Sequence, residues 1–280
     1  MNYNFDPPSS VVAEVVAAAL AEDIGLIGDL TSIACIREDQ IATAVLVARQ
    51  EGVLAGSAIV DEVFRQVADD VEVRWSLHDG DSIEVGAEIA EIAGPLRSVL
   101  LGERVALNFL CHCSGVASLT RRYVRAARGQ VRILDTRKTL PGLRGVQRAA
   151  VRAGGGFNHR ESLSAAVLIK DNHLAVLGLT KAVEKARARW PMRLIEVECD
   201  TLDQVAEARD AGVDVVLVDN MTPDEVTKAV EILEGTAKVE VSGRITVDHV
   251  GAYSESGADF ISVGALTHSA TVLDIGLDIR

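Results

Sequence analysis

Two rhythms of apolar residues divide this chain. From Val11 the run VVAEVVAAALAED repeats its apolar side chains at helical spacing, which predicts a helix ending near Gly25 with Ser10 as its N-cap. Short alternating stretches follow: IATAVLVARQ and DSIEVGAEIAEIAG read as strands, with turns at Asp79-Gly80 and Gly86. Helical spacing returns from Arg97 to about Arg128, with a break predicted at Ser114-Gly115 and a stop at Gly129. This region marks the expected boundary between a small α+β domain, residues 1–110, and a second domain, 111–280.

Beyond Val131 the apolar runs shorten, gain Val and Ile, and alternate with polar, helix-like segments. RLIEVEC, VDVVLVD, AKVEVSG and DFISVG are nearly continuous apolar strands, the signature of parallel strands covered on both faces. Glu198, Asp219 and Glu240 close three of these runs at intervals of 21 residues, and Gly264 follows 24 later. A β/α barrel is the economical reading, and it would set three carboxylates at the C-terminal strand ends, where barrel active sites are built. Such a group can hold a divalent metal or sugar hydroxyls, or it can pair with nearby Lys and Arg.

Charge sharpens the picture. The 280 residues carry a net charge of -13, which argues against a general nucleic-acid or anionic-membrane binder. Yet from 121 to 160 the charged residues are Arg121, Arg122, Arg125, Arg128, Arg132, Arg137, Lys138, Arg144, Arg148, Arg152 and Arg160, against one acid, Asp135. A focused anion pocket is implied. Arg137 and Lys138 fall on a loop after a strand-like VRILD, and His159, Arg160 and Lys170 follow; Arg forks and Lys point charges suit a ligand with several anionic groups. Arg144, Arg148 and Arg152, at steps of four, read as a solvated helix face. VSGR and VGALTHS follow strands and can turn backbone N–H groups towards phosphate. AGGGF lacks the spacing of a dinucleotide or P-loop motif, and CHC (Cys111 to Cys113) lacks a second pair for zinc. His173 and His268 lie close in sequence to the candidate site. With only Cys35, Cys111, Cys113 and Cys199, no signal-like opening and no membrane-length apolar run, the expectation is a cytoplasmic protein with reduced thiols.

EDIGLIGDLTS, GERVALNFL, DTRKTLPGLR, GGGFNHR, LIKDNH, EVE, VDNM and SVGALTHSATVLDI together resemble the quinolinate phosphoribosyltransferase family over essentially the whole chain. DTRKTLPGLR with LIKDNH at this separation is the specific part. The resemblance implies an N-terminal open α/β sandwich, a C-terminal irregular α/β barrel with the last residues packing back on the first domain, and a homodimer with shared sites. It implies quinolinate and phosphoribosyl pyrophosphate as substrates, nicotinate mononucleotide as product and Mg²⁺ as cofactor. By that likeness Arg104 reaches the neighbouring subunit's pocket, while Arg137, Arg160 and Lys170 hold the quinolinate carboxylates with His159 beside them. Lys138 meets the pyrophosphate; Glu198 and Asp219 take the ribose hydroxyls and Mg²⁺, with Glu240 nearby; Ser242, Gly243, Gly264 and Ala265 receive the 5′-phosphate, near His268. Lys138, Glu198 and Asp219 are the implied catalytic residues.

Four positions depart from the family pattern: Glu161, Ser162 and Ala165 in ESLSA, and Arg244 in SGR. They keep open a related transferase for another pyridine or azole carboxylate. A non-catalytic relative associated with molybdenum transport ranks last, because LIKDNH is retained.

Overall fold

A computed structural model describes residues 5–280. The chain forms two compact units: one comprises the residues up to Arg121 together with Thr139–Gly155 and Leu266–Arg280, the other Arg122–Lys138 and Gly156–Ala265.

In the first unit α1 (Ser9–Ile24) buries Val12, Val16 and Leu20, as its spacing predicts. Ser10 is not its cap. The carbonyl of Pro8 accepts the N–H groups of Val11 and Val12 at 2.9 and 3.1 Å, so the helix starts two residues earlier and Ser10 lies inside it. Asp29 caps α2 (Leu30–Cys35), its carboxylate accepting the Thr31 and Ser32 N–H groups. Next come β1 (Ile41–Ala48), β2 (Gly52–Val53), α3 (Ser57–Val67), β3 (Glu72–Trp75), β4 (Ser82–Ile83) and β5 (Glu88–Pro95). α3 turns Ile59, Val60, Val63 and Phe64 into the core, each worth about 1.5–3 kcal/mol of burial.

The expected break at Ser114-Gly115 is absent, since α4 (Leu96–Ala126) runs straight through it. Gly115 answers to packing instead: a Cβ there would lie 2.1 Å from the Thr271 carbonyl oxygen. The expected cut at residue 110 therefore falls within a continuous helix.

After β6 (Arg132–Leu134) the chain returns to the first unit for α5 (Arg144–Ala153). The second unit resumes with β7 (Val167–Ile169), α6 (Asp171–Leu177), α7 (Leu179–Arg189), β8 (Ile195–Cys199), α8 (Leu202–Asp210), β9 (Val215–Asp219), α9 (Pro223–Leu233), β10 (Lys238–Ser242), α10 (Val250–Ser254) and β11 (Phe260–Ser262). Its strands are parallel in the order β6-β11-β10-β9-β8-β7, the α/β barrel that the repeats predict. A parallel bridge from Leu134 to Phe157 continues the wall beyond β6. Capping boxes at Thr201/Gln204 and Thr222/Glu225, the latter with Pro223 in the first turn, start α8 and α9. α11 (Ala265–His268) leads out, and β12 (Ile275–Ile279) pairs antiparallel with β1, completing the sheet β12-β1-β5-β3. No helix among the described residues is long and apolar enough to cross a membrane.

Candidate active site

Alternation along the barrel strands turns Glu196 and Glu198, Leu217 and Asp219, and Glu240 and Ser242 to one side, while Val197, Val216, Val218, Val239 and Val241 are buried on the other. All of the first set but Glu196 line a cavity of about 390 Å³ at the C-terminal strand ends, together with Arg137, Lys138, His159, Arg160 and Lys170. Cations from the segments after β6, the Phe157 bridge and β7 thus meet acids and hydroxyls from β8, β9 and β10. Lys170 Nζ donates to Glu198 Oε2 at 2.8 Å, and the Asn220 amide donates to Asp219 Oδ2. The N–H of Lys170 bonds His173 Nδ1 at 3.0 Å, so His173 fixes the clamp's backbone. Burial, with the Arg137 charge close by, pushes Arg160 below its usual basicity.

Beneath the clamp lies a buried cluster. His159 Nε2 stands 3.2 Å from Glu196 Oε2 and 3.3 Å from Glu240 Oε2. Burial alone would lower the His159 pKa, but the two glutamates outweigh it and raise it to about 10. Glu196 is itself raised, by burial and then by the Glu240 charge, against the pull of His159. The Arg160 N–H lies 2.7 Å from His159 Nδ1. Asp135, fully buried, fixes this floor by accepting the Asn158 amide at 2.6 Å and the His159 N–H at 2.8 Å.

Two of these expectations need correction. The three acids are not level: Ser242 pairs with Asp219, while Glu198 and Glu240 both pair with Leu217, and Glu240 is buried. Arg144, Arg148 and Arg152 do not form a solvated face. All three are half-buried; Arg144 bonds Thr139, and Arg152 donates to the carbonyls of Phe5 and Asp6. Arg104 and His268 belong to the first unit, Arg104 exposed beside Glu103 and His268 bonded to Ser269. Gly243, Gly264 and Ala265 follow the cavity-lining Ser242 and Ser262, the last residues of β10 and β11. Gly243 answers a strict need, with φ +100° and room for no Cβ, since one would lie 2.4 Å from Asn220 Oδ1. In AGGGF, Gly154 packs against α4, where a Cβ would meet the Ala117 carbonyl at 2.5 Å. The CHC side chains diverge: Cys111 to the Ile275 carbonyl, His112 to Gln147, Cys113 into the core.

Sequence reading missed Glu196, Asp135 and Asn158. The period-two repeat in IEVEC holds the signal for Glu196, which must share a face with Glu198. The departures Glu161 and Ala165 line a second cavity, of about 450 Å³, with Leu194, Val215 and Phe260 from the starts of the barrel strands, and it shares His159, Arg160 and Glu240 with the first. Ser162 bonds Ser164. Arg244 is exposed in the left-handed region, φ +49°, outside both cavities.

Fold and rim together define an α/β-barrel protein built to bind a polyanion against a pair of carboxylates. Comparison narrows the class. Residues 29–114 match the model for the quinolinate phosphoribosyl transferase N-terminal domain and 116–278 that for its C-terminal domain. A probable nicotinate-nucleotide pyrophosphorylase (carboxylating) of Bacillus subtilis is 45% identical over 261 residues, 92% of this chain and 90% of that one. The Mycobacterium leprae nicotinate-nucleotide pyrophosphorylase is 38% identical, covering 95% and 96% of the two chains. The solved nicotinate-nucleotide pyrophosphorylase of Francisella tularensis superposes with a TM-score of 0.93 at 38% identity over 98% of each chain. The chain belongs to the quinolinate phosphoribosyltransferase family.

Proposed function

We propose that this chain, as a cytoplasmic homodimer, transfers the phosphoribosyl group of 5-phosphoribosyl 1-pyrophosphate to quinolinate with loss of CO₂, giving nicotinate mononucleotide and pyrophosphate for NAD biosynthesis. One observation carries the reading: Arg137, Lys138, Arg160 and Lys170 share a single cavity with Glu198 and Asp219. Two multiply anionic substrates need the cations, and a sugar that gains positive charge as pyrophosphate leaves needs the acids.

Arg137, Arg160 and Lys170 grip the two carboxylates of quinolinate, with His159 below them, and Lys138 takes the pyrophosphate. Ser242, with backbone donors of Gly243, Gly264 and Ala265, takes the 5′-phosphate. The pyridine nitrogen attacks the anomeric carbon as the pyrophosphate bond breaks. The 2-carboxylate then departs as CO₂, and the electron pair left on C2 takes up a proton. Holding both reactants in line supplies much of the acceleration. Arg104, exposed on α4, is assigned to the pocket of a second copy. Glu198 and Asp219 form a hard oxygen pair of the kind Mg²⁺ binds together with substrate phosphates, and both would hold the ion. The bound ion would neutralise charge on the leaving pyrophosphate.

The departures Glu161 and Ala165 line the second cavity, whose wall includes the clamp residue Arg160, while Arg137, Lys138 and Lys170 line the first alone; retention of all four cations favours quinolinate over another pyridine or azole carboxylate. A panel of pyridine carboxylates tests this. Quinolinate should turn over fastest, and equal rates with other acids would favour the related transferase.

A further inference from the structure

The buried face of α5 carries Val146, Ala149, Ala150, Val151 and Ala153, and among them one amide, Gln147, with no exposed surface. A buried amide is costly unless its hydrogen bonds are made. Here they are. Oε1 accepts the Leu140 N–H at 3.0 Å, and Nε2 lies 2.6 Å from the Thr267 carbonyl oxygen and 2.9 Å from His112 Nε2. These partners fix the amide's orientation, because turning it over would set two oxygens 2.6 Å apart and place donor against donor at Leu140. Both protons of Nε2 are therefore given away, one to Thr267 and one to His112. The His112 ring must accept at Nε2 and keep its own proton on Nδ1, a neutral state that burial favours by lowering its pKa.

The two backbone groups held this way are placed suggestively along the chain. Leu140 comes two residues after Lys138, and Thr267 two residues after Ala265. Lys138 is assigned to the pyrophosphate end of the donor substrate, and Gly264 with Ala265 to its 5′-phosphate end.

We propose that Gln147, held by His112, is a positioning residue for the phosphoribosyl donor: a single buried amide anchors both segments that grip its opposite ends. The inference rests on the donor assignment made above. Gln147 touches no reacting atom and acts through the backbone of residues 140 and 267. Arg137, beside Lys138 on an anchored segment, also meets quinolinate, but Arg160 and Lys170 lie on segments that Gln147 does not hold, so quinolinate binding should depend on it less.

Calorimetry with phosphoribosyl pyrophosphate and with quinolinate, titrated separately into the full chain, tests the proposal. Gln147→Leu removes both anchors at similar volume. Its donor Kd should rise about tenfold or more, the loss of one to two net hydrogen bonds, and its quinolinate Kd by a clearly smaller factor, since Arg137 alone of the quinolinate groups lies on an anchored segment. A folded Gln147→Leu that binds the donor as the wild type does would overturn the proposal. Should that variant fail to fold, His112→Leu and His112→Gln decide. Weaker donor binding in the first, restored in the second by its amide acceptor, supports the anchor; equal donor affinity in both overturns it. A wild-type chain that binds quinolinate but no donor would instead refute the donor assignment, and the positioning role with it.

Discussion

Lys170 Nζ and Glu198 Oε2 lie 2.8 Å apart, joining a cation and an acid of the candidate site at the ends of the neighbouring strands β7 and β8. Before substrates arrive each group neutralises the other, and ligands must compete for both. The Lys170 side chain is 45% exposed, so this pair adds only about 0–1 kcal/mol to stability. Glu198→Ala should cut turnover at least about a hundredfold, as loss of transition-state electrostatics does. Its melting temperature should stay near the wild-type value, as read by thermal denaturation beside steady-state kinetics.

Arg137→Ala and Lys138→Ala should each abolish turnover and leave the fold intact, because both side chains face the cavity. Circular dichroism and product assay on the same preparations check this. Wild-type rates in either variant would contradict the clamp.

The His159 cluster makes stability depend on pH. Its pKa stands near 10, above the ordinary 6.5, so the stabilisation it gives is complete below about pH 6.5 and is lost as pH rises through 10. The raised Glu196 acts in the same direction, favouring the folded state when protons are plentiful. His159→Ala leaves two buried carboxyls facing each other. It should cost about 3–5 kcal/mol at pH 8, where a charge is stranded, and clearly less at pH 5, by urea denaturation at both values.

Gly243→Ala should lower stability by about 1–3 kcal/mol, since the left-handed backbone and the Asn220 contact both refuse a Cβ. Calorimetry should also show weaker binding of the phosphoribosyl donor, because Gly243 sits in the assigned phosphate turn.

Much of this site was readable from spacing alone. VDVVLVD announces β9 through its unbroken apolar run, and Arg137, Lys138, Arg160 and Lys170 follow strand-like segments. Glu198, Asp219 and Glu240 read as level because a repeat of 21 residues counts sequence, not stagger: Val215 pairs with Glu196 on one side and Lys238 on the other, which sets Asp219 opposite Ser242 and Leu217 opposite both glutamates. Gly115 read as a helix break because the carbonyl it accommodates, that of Thr271, is far off in sequence. The return of α5 and β12 to the first unit likewise depends on contacts that no local pattern records.

The most direct measurement is to incubate the purified chain with Mg²⁺, phosphoribosyl pyrophosphate and quinolinate and to follow nicotinate mononucleotide and CO₂. Both products should appear in equal amounts and vanish when the metal is chelated. Absence of both, from a folded chain with metal and substrates present, would contradict the account.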